Sequence, residues 1–247
     1  MYVETEGIIL KQIKIVGGRR MLVIFTKRFG KISAGTSLKE KSKNKATLAL
    51  RPFVYGKYRI NKTGKHYHVN GAEVISSNYQ IGEDVDKFLS ASYILEFTEK
   101  LLPEDAPDPK LFRLLVEFLE MLEERKKKFE TLVVAYQVKA LANSGSFPRL
   151  DACVRCNEKE DVKYFSVPEG GVVCERCKQL SRANEILLYT MDFGIVEVLR
   201  YLLEQPLSSF SRLALDDKIL LEIKKILKDY IAYHLDVDDL KSEEFMN

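Results

Sequence analysis

Four cysteines fall in one short stretch, as Cys153-Val-Arg-Cys156 and Cys174-Glu-Arg-Cys177, with seventeen residues between the pairs. Each Cys-x-x-Cys turn sets two thiolates on one side of a tight loop. Two such turns can converge on a tetrahedral ion. A four-sulfur shell suits a structural zinc, because it leaves no position for substrate or activated water. Two disulfides or a redox pair are the competing uses, favoured in oxidising compartments, and an iron–sulfur cluster takes the same four ligands. The intervening Val162–Phe165 and Gly170–Val173 read as a β-ribbon, the frame of a zinc ribbon. The segment is poor in apolar side chains, so a bound metal would supply its folding free energy directly. Arg155, Arg176 and Lys178 flank the knuckles. They read as surface cations beside thiolates, with phosphate contact as the alternative.

The second chemistry-bearing set is basic. Residues 1–80 hold 16 Lys or Arg and four acids, a net charge of +12, while the remainder of the chain carries −9, for a total of +3. Such a separation points to a polyanionic partner for the N-terminal part. Lysines that merely keep a β-domain soluble are the plainer alternative. The candidate phosphate contacts are Arg19, Arg20, Lys27, Arg28, Lys31, Lys39, Lys41, Lys43, Lys45, Arg51 and Lys57, continued by Arg59, Lys62 and Lys65. Phe25, Phe29, Phe53, Tyr55, Tyr58 and Tyr67 run among them. Cations with interleaved aromatics are what single-stranded nucleic acid requires. Alternation along a strand buries most of these rings and leaves Tyr55 and Tyr67 as the stacking candidates.

Other constellations carry little. His66 and His68 stand two apart without a nearby third ligand, and read as a surface pair. Asp105 and Asp108 lie in a proline-rich loop and serve best as caps for the next helix. There is no phosphate-binding glycine loop ending in Lys-Ser/Thr. Nor is there a Gly-x-Ser-x-Gly elbow. These absences argue against catalysis. No apolar run approaches the ~20 residues that cross a bilayer, and Met1–Gly7 lacks the apolar core of a secretory signal. A cytosolic protein is expected.

These residues need positioning elements. Val3–Leu10, Met21–Thr26, Lys31–Gly35, Phe53–Ile60 and His66–Val69 read as short strands separated by Gly- and Lys-rich turns. Five such strands suit a small barrel. After Gly82 the apolar spacing becomes three or four: Phe88 to Leu101, Leu111 to Leu122, Phe129 to Ala140, then Met191 to Leu203, and a last helix starting after Asp216 or Asp217. The predicted architecture is α+β. A barrel over 1–80 precedes an all-α domain over 81–247, with the ribbon inserted at about 150–180.

Taken in order, several blocks resemble the bacterial RecO recombination-mediator family. They are Glu6–Lys11, Phe25–Lys31, Lys41-Ser-Lys43, Ala49–Phe53, Gly71–Ile75, Gly145–Cys153 and Gly170–Cys174. The chain departs from the family pattern at Val16-Gly-Gly-Arg19 and at the shorter Gly35–Glu40, where an arginine is missing. The resemblance implies an OB-fold barrel, a helical domain with a zinc ribbon, and binding of single- and double-stranded DNA with annealing of complementary strands. It also implies partnership with RecR, contact with the acidic tail of single-stranded-DNA-binding protein, and help to RecA. No nucleotide cofactor is implied. Two other classes remain in view: an adaptor whose basic barrel takes an acidic protein, and a metal-dependent hydrolase, which a closed four-thiolate ion disfavours.

Overall fold

The structure is a computed structural model that describes residues 2–15, 20–38, 45–180, 186–192, 194–237 and 240–242. The chain forms two compact units, one of residues 1–129 with 240–247, the other of residues 130–239. Among the described residues no helix is long and apolar enough to cross a membrane.

The first unit is built on a closed barrel of order β1-β2-β3-β5-β4. Its strands are β1 (Tyr2–Lys14), β2 (Arg20–Thr26), β3 (Gly30–Thr36), β4 (Tyr55–Thr63) and β5 (His66–Ser76), with a short α1 (Lys45–Leu48) before β4. β1 pairs with β4 through Tyr2–Ile8 and with β2 through Gly7–Lys14, and its register slips between Ile9 and Lys11. That bulge bends one long strand around two neighbours, which is how a small barrel closes. β3 and β5 close the other side in parallel, Ala34 opposite Tyr67. Alternation puts Leu22, Ile24, Ile32, Ala34, Tyr58, Ile60 and Val69 in one interior cluster. The expected strand from Phe53 begins at Tyr55 instead. Phe53 has φ +69, which an extended strand cannot accommodate.

Two helices complete this unit: α2 (Val85–Leu101), capped by the Asp84 carboxylate, and α3 (Pro109–Glu124), capped by Asp108. Phe112 of α3 meets Phe25 edge-on, with ring centres 5.3 Å apart. Phe88, the expected start of the α2 core stripe, is 46% exposed and meets Phe53 edge-on, with ring centres 5.4 Å apart. The loop between the helices docks on the barrel. Asp105 N–H donates to the Lys31 carbonyl at 2.9 Å, and Tyr67 Oη donates to the Asp105 carboxylate at 2.8 Å. Asp108 is therefore the helix cap, while Asp105 is a barrel anchor. Near the chain end, Lys241 N–H, Ser242 N–H and Ser242 Oγ all donate to Glu96 of α2, at 3.2, 3.0 and 2.6 Å.

The second unit has α4 (Phe129–Asn143), β6 (Val162–Ser166), β7 (Gly171–Cys174), α5 (Glu175–Gln179), β8 (Leu188–Thr190), α6 (Ile195–Glu204) and α7 (Asp217–Leu235). α4 is not a one-sided stripe: Leu132, Val133, Val134, Ala135, Tyr136 and Val138 are all buried. A helix apolar on all faces sits in the middle of a core. α6 begins at Ile195 rather than Met191, because Leu188–Thr190 joins the ribbon as a third strand, in the order β7-β6-β8. Asp216 caps α7, accepting from Lys218 N–H. Phe165 of β6 packs edge-on against Tyr230 of α7, and His234 Nε2 donates to the Val167 carbonyl at 2.6 Å. The ribbon is thereby seated on the last helix.

Candidate metal centre and basic barrel surface

The cysteine turns are held by backbone bonds before any metal is considered. Asn157 N–H donates to the Cys153 carbonyl at 2.9 Å, and Cys153 N–H to the Glu158 carbonyl at 2.7 Å, closing the first knuckle. Val154 N–H donates to Val172 O, which docks that knuckle on β7. The approach demands glycine at 171: a Cβ there would lie 2.4 Å from the Arg149 carbonyl oxygen. Cys174 ends β7 and Cys177 lies on α5. The two strands of the hairpin thus carry the second pair to the first.

The result is a cluster of four thiol sulfurs within 4.8 Å of one another, three of the cysteines buried and Cys156 partly so. Cys156 and Cys174 Sγ are 3.6 Å apart. A tetrahedral zinc at ~2.3 Å from each sulfur needs sulfur–sulfur edges of about 3.8 Å, so the donors fit a four-thiolate ion. That spacing is well beyond the ~2.05 Å of a disulfide. The electrostatics divide the cysteines, favouring thiolate at Cys153 and Cys156 and the thiol at Cys177. Burial opposes ionisation of Cys153, but backbone N–H groups of Cys174, Cys156 and Arg155 outweigh it and bring its pKa down to about 6. Cys156 is lowered first by the Glu158 N–H. Cys177 is pushed up to about 12, first through its hydrogen bond with Cys156, then by burial and the other sulfurs. Four thiols without a cation cannot all ionise cheaply, and a dication removes that conflict. Among the described residues this is the sole such cluster of His, Cys, Asp or Glu side chains; His66 and His68 do not join one.

The cations at the knuckles divide. Arg176 is exposed, and its pKa is raised first by hydrogen bonding to the Cys156 sulfur. Arg155 is partly buried and is engaged by Glu169 and the Cys177 carbonyl.

On the barrel the predicted phosphate contacts separate by burial. Arg28, Arg51 and Lys57 are exposed, and so are Arg59, Lys62 and Lys65. Lys57 pairs with Glu4 at 2.7 Å and Lys27 with Glu6 at 3.0 Å. Arg28 and Lys62 both lie 5.7 Å from the Phe29 ring centre, and Lys62 is 4.9 Å from that of Tyr67. Two of the set are engaged by the fold itself. Arg20 is 7% exposed and donates to the Leu38 carbonyl and, at 3.4 Å, to Gln12 Oε1. Lys31 donates to Glu99 O at 2.9 Å and pairs with Glu104 at 3.2 Å. Arg19, Lys39, Lys41 and Lys43 lie outside the described residues, as does the side chain of Lys45. Of the candidate stacking rings, Tyr67 is 8% exposed and Tyr55 donates to Glu6 at 2.7 Å. Alternation alone could not give these fates, since they depend on which distant segment meets each ring.

An apolar cleft of about 850 Å³ opens in the first unit, lined by Leu48, Phe53, Val74, Tyr79 and Phe88 with Arg51 at its edge. No periodicity in the sequence marks it, because its residues come from separate segments that only folding brings together.

Comparison with known proteins follows this geometry closely. The recombination protein O N-terminal family matches residues 1–78, and the recombination protein O C-terminal family matches residues 82–244. The family division thus falls at the end of the barrel, whereas the compact units divide at residue 129. Among curated relatives, the chain is 30% identical to the DNA repair protein RecO of Caldanaerobacter subterraneus subsp. tengcongensis, over 99% of this chain and 97% of the relative. It is 31% identical to that of Alkaliphilus metalliredigens, over 99% and 98%. It is 27% identical to that of Bacillus pumilus, over 100% and 94%. With both family regions matched in order, an OB-fold barrel followed by a helical domain, and a four-cysteine ribbon in its expected place, the chain belongs to the recombination protein O family of DNA repair and recombination.

Proposed function

We propose that this chain is a non-catalytic recombination mediator that binds single- and double-stranded DNA and anneals complementary strands. It works with RecR to help RecA replace single-stranded-DNA-binding protein, in the cytoplasm at the nucleoid. The observation that supports this reading best is a closed OB-type barrel carrying most of a +12 excess of charge over residues 1–80. Such barrels hold nucleic acid on the β2–β3 face and adjoining loops. Arg19, Lys27, Arg28, Lys39, Lys41, Lys43, Lys45, Arg51 and Lys57 are the phosphate contacts in this reading, with Arg20 and Lys31 shaping the barrel beneath them. Contacts of this kind grip the backbone and read little sequence. Screening phosphate repulsion between two strands is a sufficient account of annealing, and it needs no chemical step.

In the same reading residues 1–80 are the DNA-binding domain. Residues 81–247 carry the contact to the acidic tail of single-stranded-DNA-binding protein. Cys153, Cys156, Cys174 and Cys177 hold a structural zinc, which supplies folding free energy and no reactive group.

The test is fluorescence-monitored binding of single-stranded DNA, with annealing of complementary strands, at two salt concentrations and without ATP. Salt-sensitive binding with ATP-independent annealing is expected. Absence of binding at low salt would transfer the basic barrel to an acidic protein partner and overturn the mediator reading.

A further inference from the structure

Arg155 sits inside the first knuckle, between its two cysteines. Its Nη1 donates to the Cys177 carbonyl at 3.0 Å, which belongs to the second knuckle. Its Nε lies 3.0 and 2.9 Å from the two Glu169 carboxylate oxygens, and its Nη2 is 2.8 Å from one of them. Glu169 stands in the turn between β6 and β7. One planar guanidinium therefore spans three segments: the loop bearing Cys153 and Cys156, the helix bearing Cys177, and the hairpin turn that joins the strands. The side chain is 23% exposed. An arginine fork engaging a carboxylate in this way is geometrically selective, and lysine cannot reproduce it.

We infer that Arg155 is a positioning residue of the metal centre, pinning the two cysteine pairs together so that a bound zinc is released slowly. The inference rests on the zinc reading above. Its physical basis is simple. Zinc leaves a four-thiolate site by losing one sulfur at a time, and the two pairs belong to separate pieces of backbone. A brace between those pieces keeps a dissociated sulfur beside the ion, so that it rebinds. With its donors committed to Glu169 and Cys177, Arg155 serves the ribbon rather than phosphate, the alternative use that its basic character suggests.

The experiment uses the full-length chain loaded with zinc, and follows zinc transfer to an excess of chromophoric chelator at a temperature well below unfolding. Arg155→Ala is expected to speed release, and to weaken zinc binding, by about tenfold, the lower end of the usual effect of an outer-shell partner. Arg155→Lys should fall between that variant and the wild type, and Glu169→Gln should speed release to a smaller degree. Lys163→Ala, which removes the exposed 3.1 Å pair with Asp161 on the same ribbon, should leave the rate unchanged. Cobalt(II) in place of zinc should keep its four-thiolate absorption in every variant. Unchanged release from Arg155→Ala overturns the inference, even if that variant melts at a lower temperature, since Arg155 would then serve folding alone. If Arg155→Ala does not fold, the lysine and glutamine variants decide by the same criterion. A wild-type chain that takes up no zinc overturns the metal reading itself. A wild type that holds zinc beside variants that release it no faster overturns only the brace.

Discussion

Gly30 lies so close to Ala106 that a Cβ added to it would stand 2.1 Å from the Ala106 carbonyl oxygen. Gly30 also has φ +71, in the left-handed region. Two independent constraints therefore exclude any other residue there. This approach joins the β2–β3 turn to the loop between α2 and α3, and so makes those helices part of the barrel's unit. Gly30→Ala should destabilise that unit by roughly 2–4 kcal/mol, from left-handed strain and steric displacement together. Chemical denaturation of the two chains side by side gives the measurement; equal midpoints would show that the loop yields without cost.

Arginines eight positions apart should part company on mutation. Arg20 is buried and satisfies the Leu38 carbonyl. Arg20→Ala leaves that group unpaired and should cost about 1–3 kcal/mol of stability. Arg28 is exposed. Arg28→Ala should change stability by less than about 0.5 kcal/mol while lowering affinity for DNA. Thermal melts paired with binding curves separate the two; identical melts would place Arg20 on the surface.

Lys39, Lys41 and Lys43 changed together to Glu should weaken single-stranded DNA binding and flatten its salt dependence, by about 0.7 in log–log slope for each phosphate that is no longer neutralised. Anisotropy titrations across a salt series read both quantities. A slope that does not move would remove this loop from the DNA path.

If Cys153, Cys156, Cys174 and Cys177 hold a structural zinc as proposed, Cys153→Ser or Cys174→Ser should abolish stoichiometric metal and lower the melting temperature, because metal binding would supply folding free energy to the ribbon. DNA affinity per folded molecule should fall little. Elemental analysis with circular dichroism checks the first point, and a folded, zinc-free wild-type chain would contradict it.

The pH dependence of the barrel should carry the mark of Glu6 and Tyr55. The Tyr55 hydroxyl, then the Lys27 ammonium, hold the Glu6 carboxyl below its ordinary 4.5. Burial, then Glu6, pushes Tyr55 up to about 12. The depressed carboxyl contributes stability above pH 4.5 that is lost as the pH falls through its folded value. The raised phenol contributes stability below pH 10 that is lost as the pH climbs toward 12. Tyr55→Phe should flatten both limbs of a stability–pH curve. Each is small, under about 1 kcal/mol, because Glu6 is a third exposed.

The cysteine spacing by itself pointed to a convergent four-thiol site, since two Cys-x-x-Cys turns at this separation can close on one ion, while the structure set the sulfurs apart at non-disulfide spacing. Strand alternation and the change of spacing after Gly82 likewise determined a barrel followed by helices, because local periodicity is what burial on one face imposes. The charge of residues 1–80 was legible as a sum, but sums do not say where a side chain points. Only the tertiary structure decided that Arg20 is buried on the Leu38 carbonyl, that Lys31 is tied to Glu99 of α2, that Tyr67 meets Asp105, and that Arg155 spans two knuckles and a hairpin turn. The groups that meet there lie between 14 and 73 residues apart or depend on a loop's path across the barrel. Periodicity encodes which face of an element is buried, whereas the identity of what buries it arises only when distant segments meet.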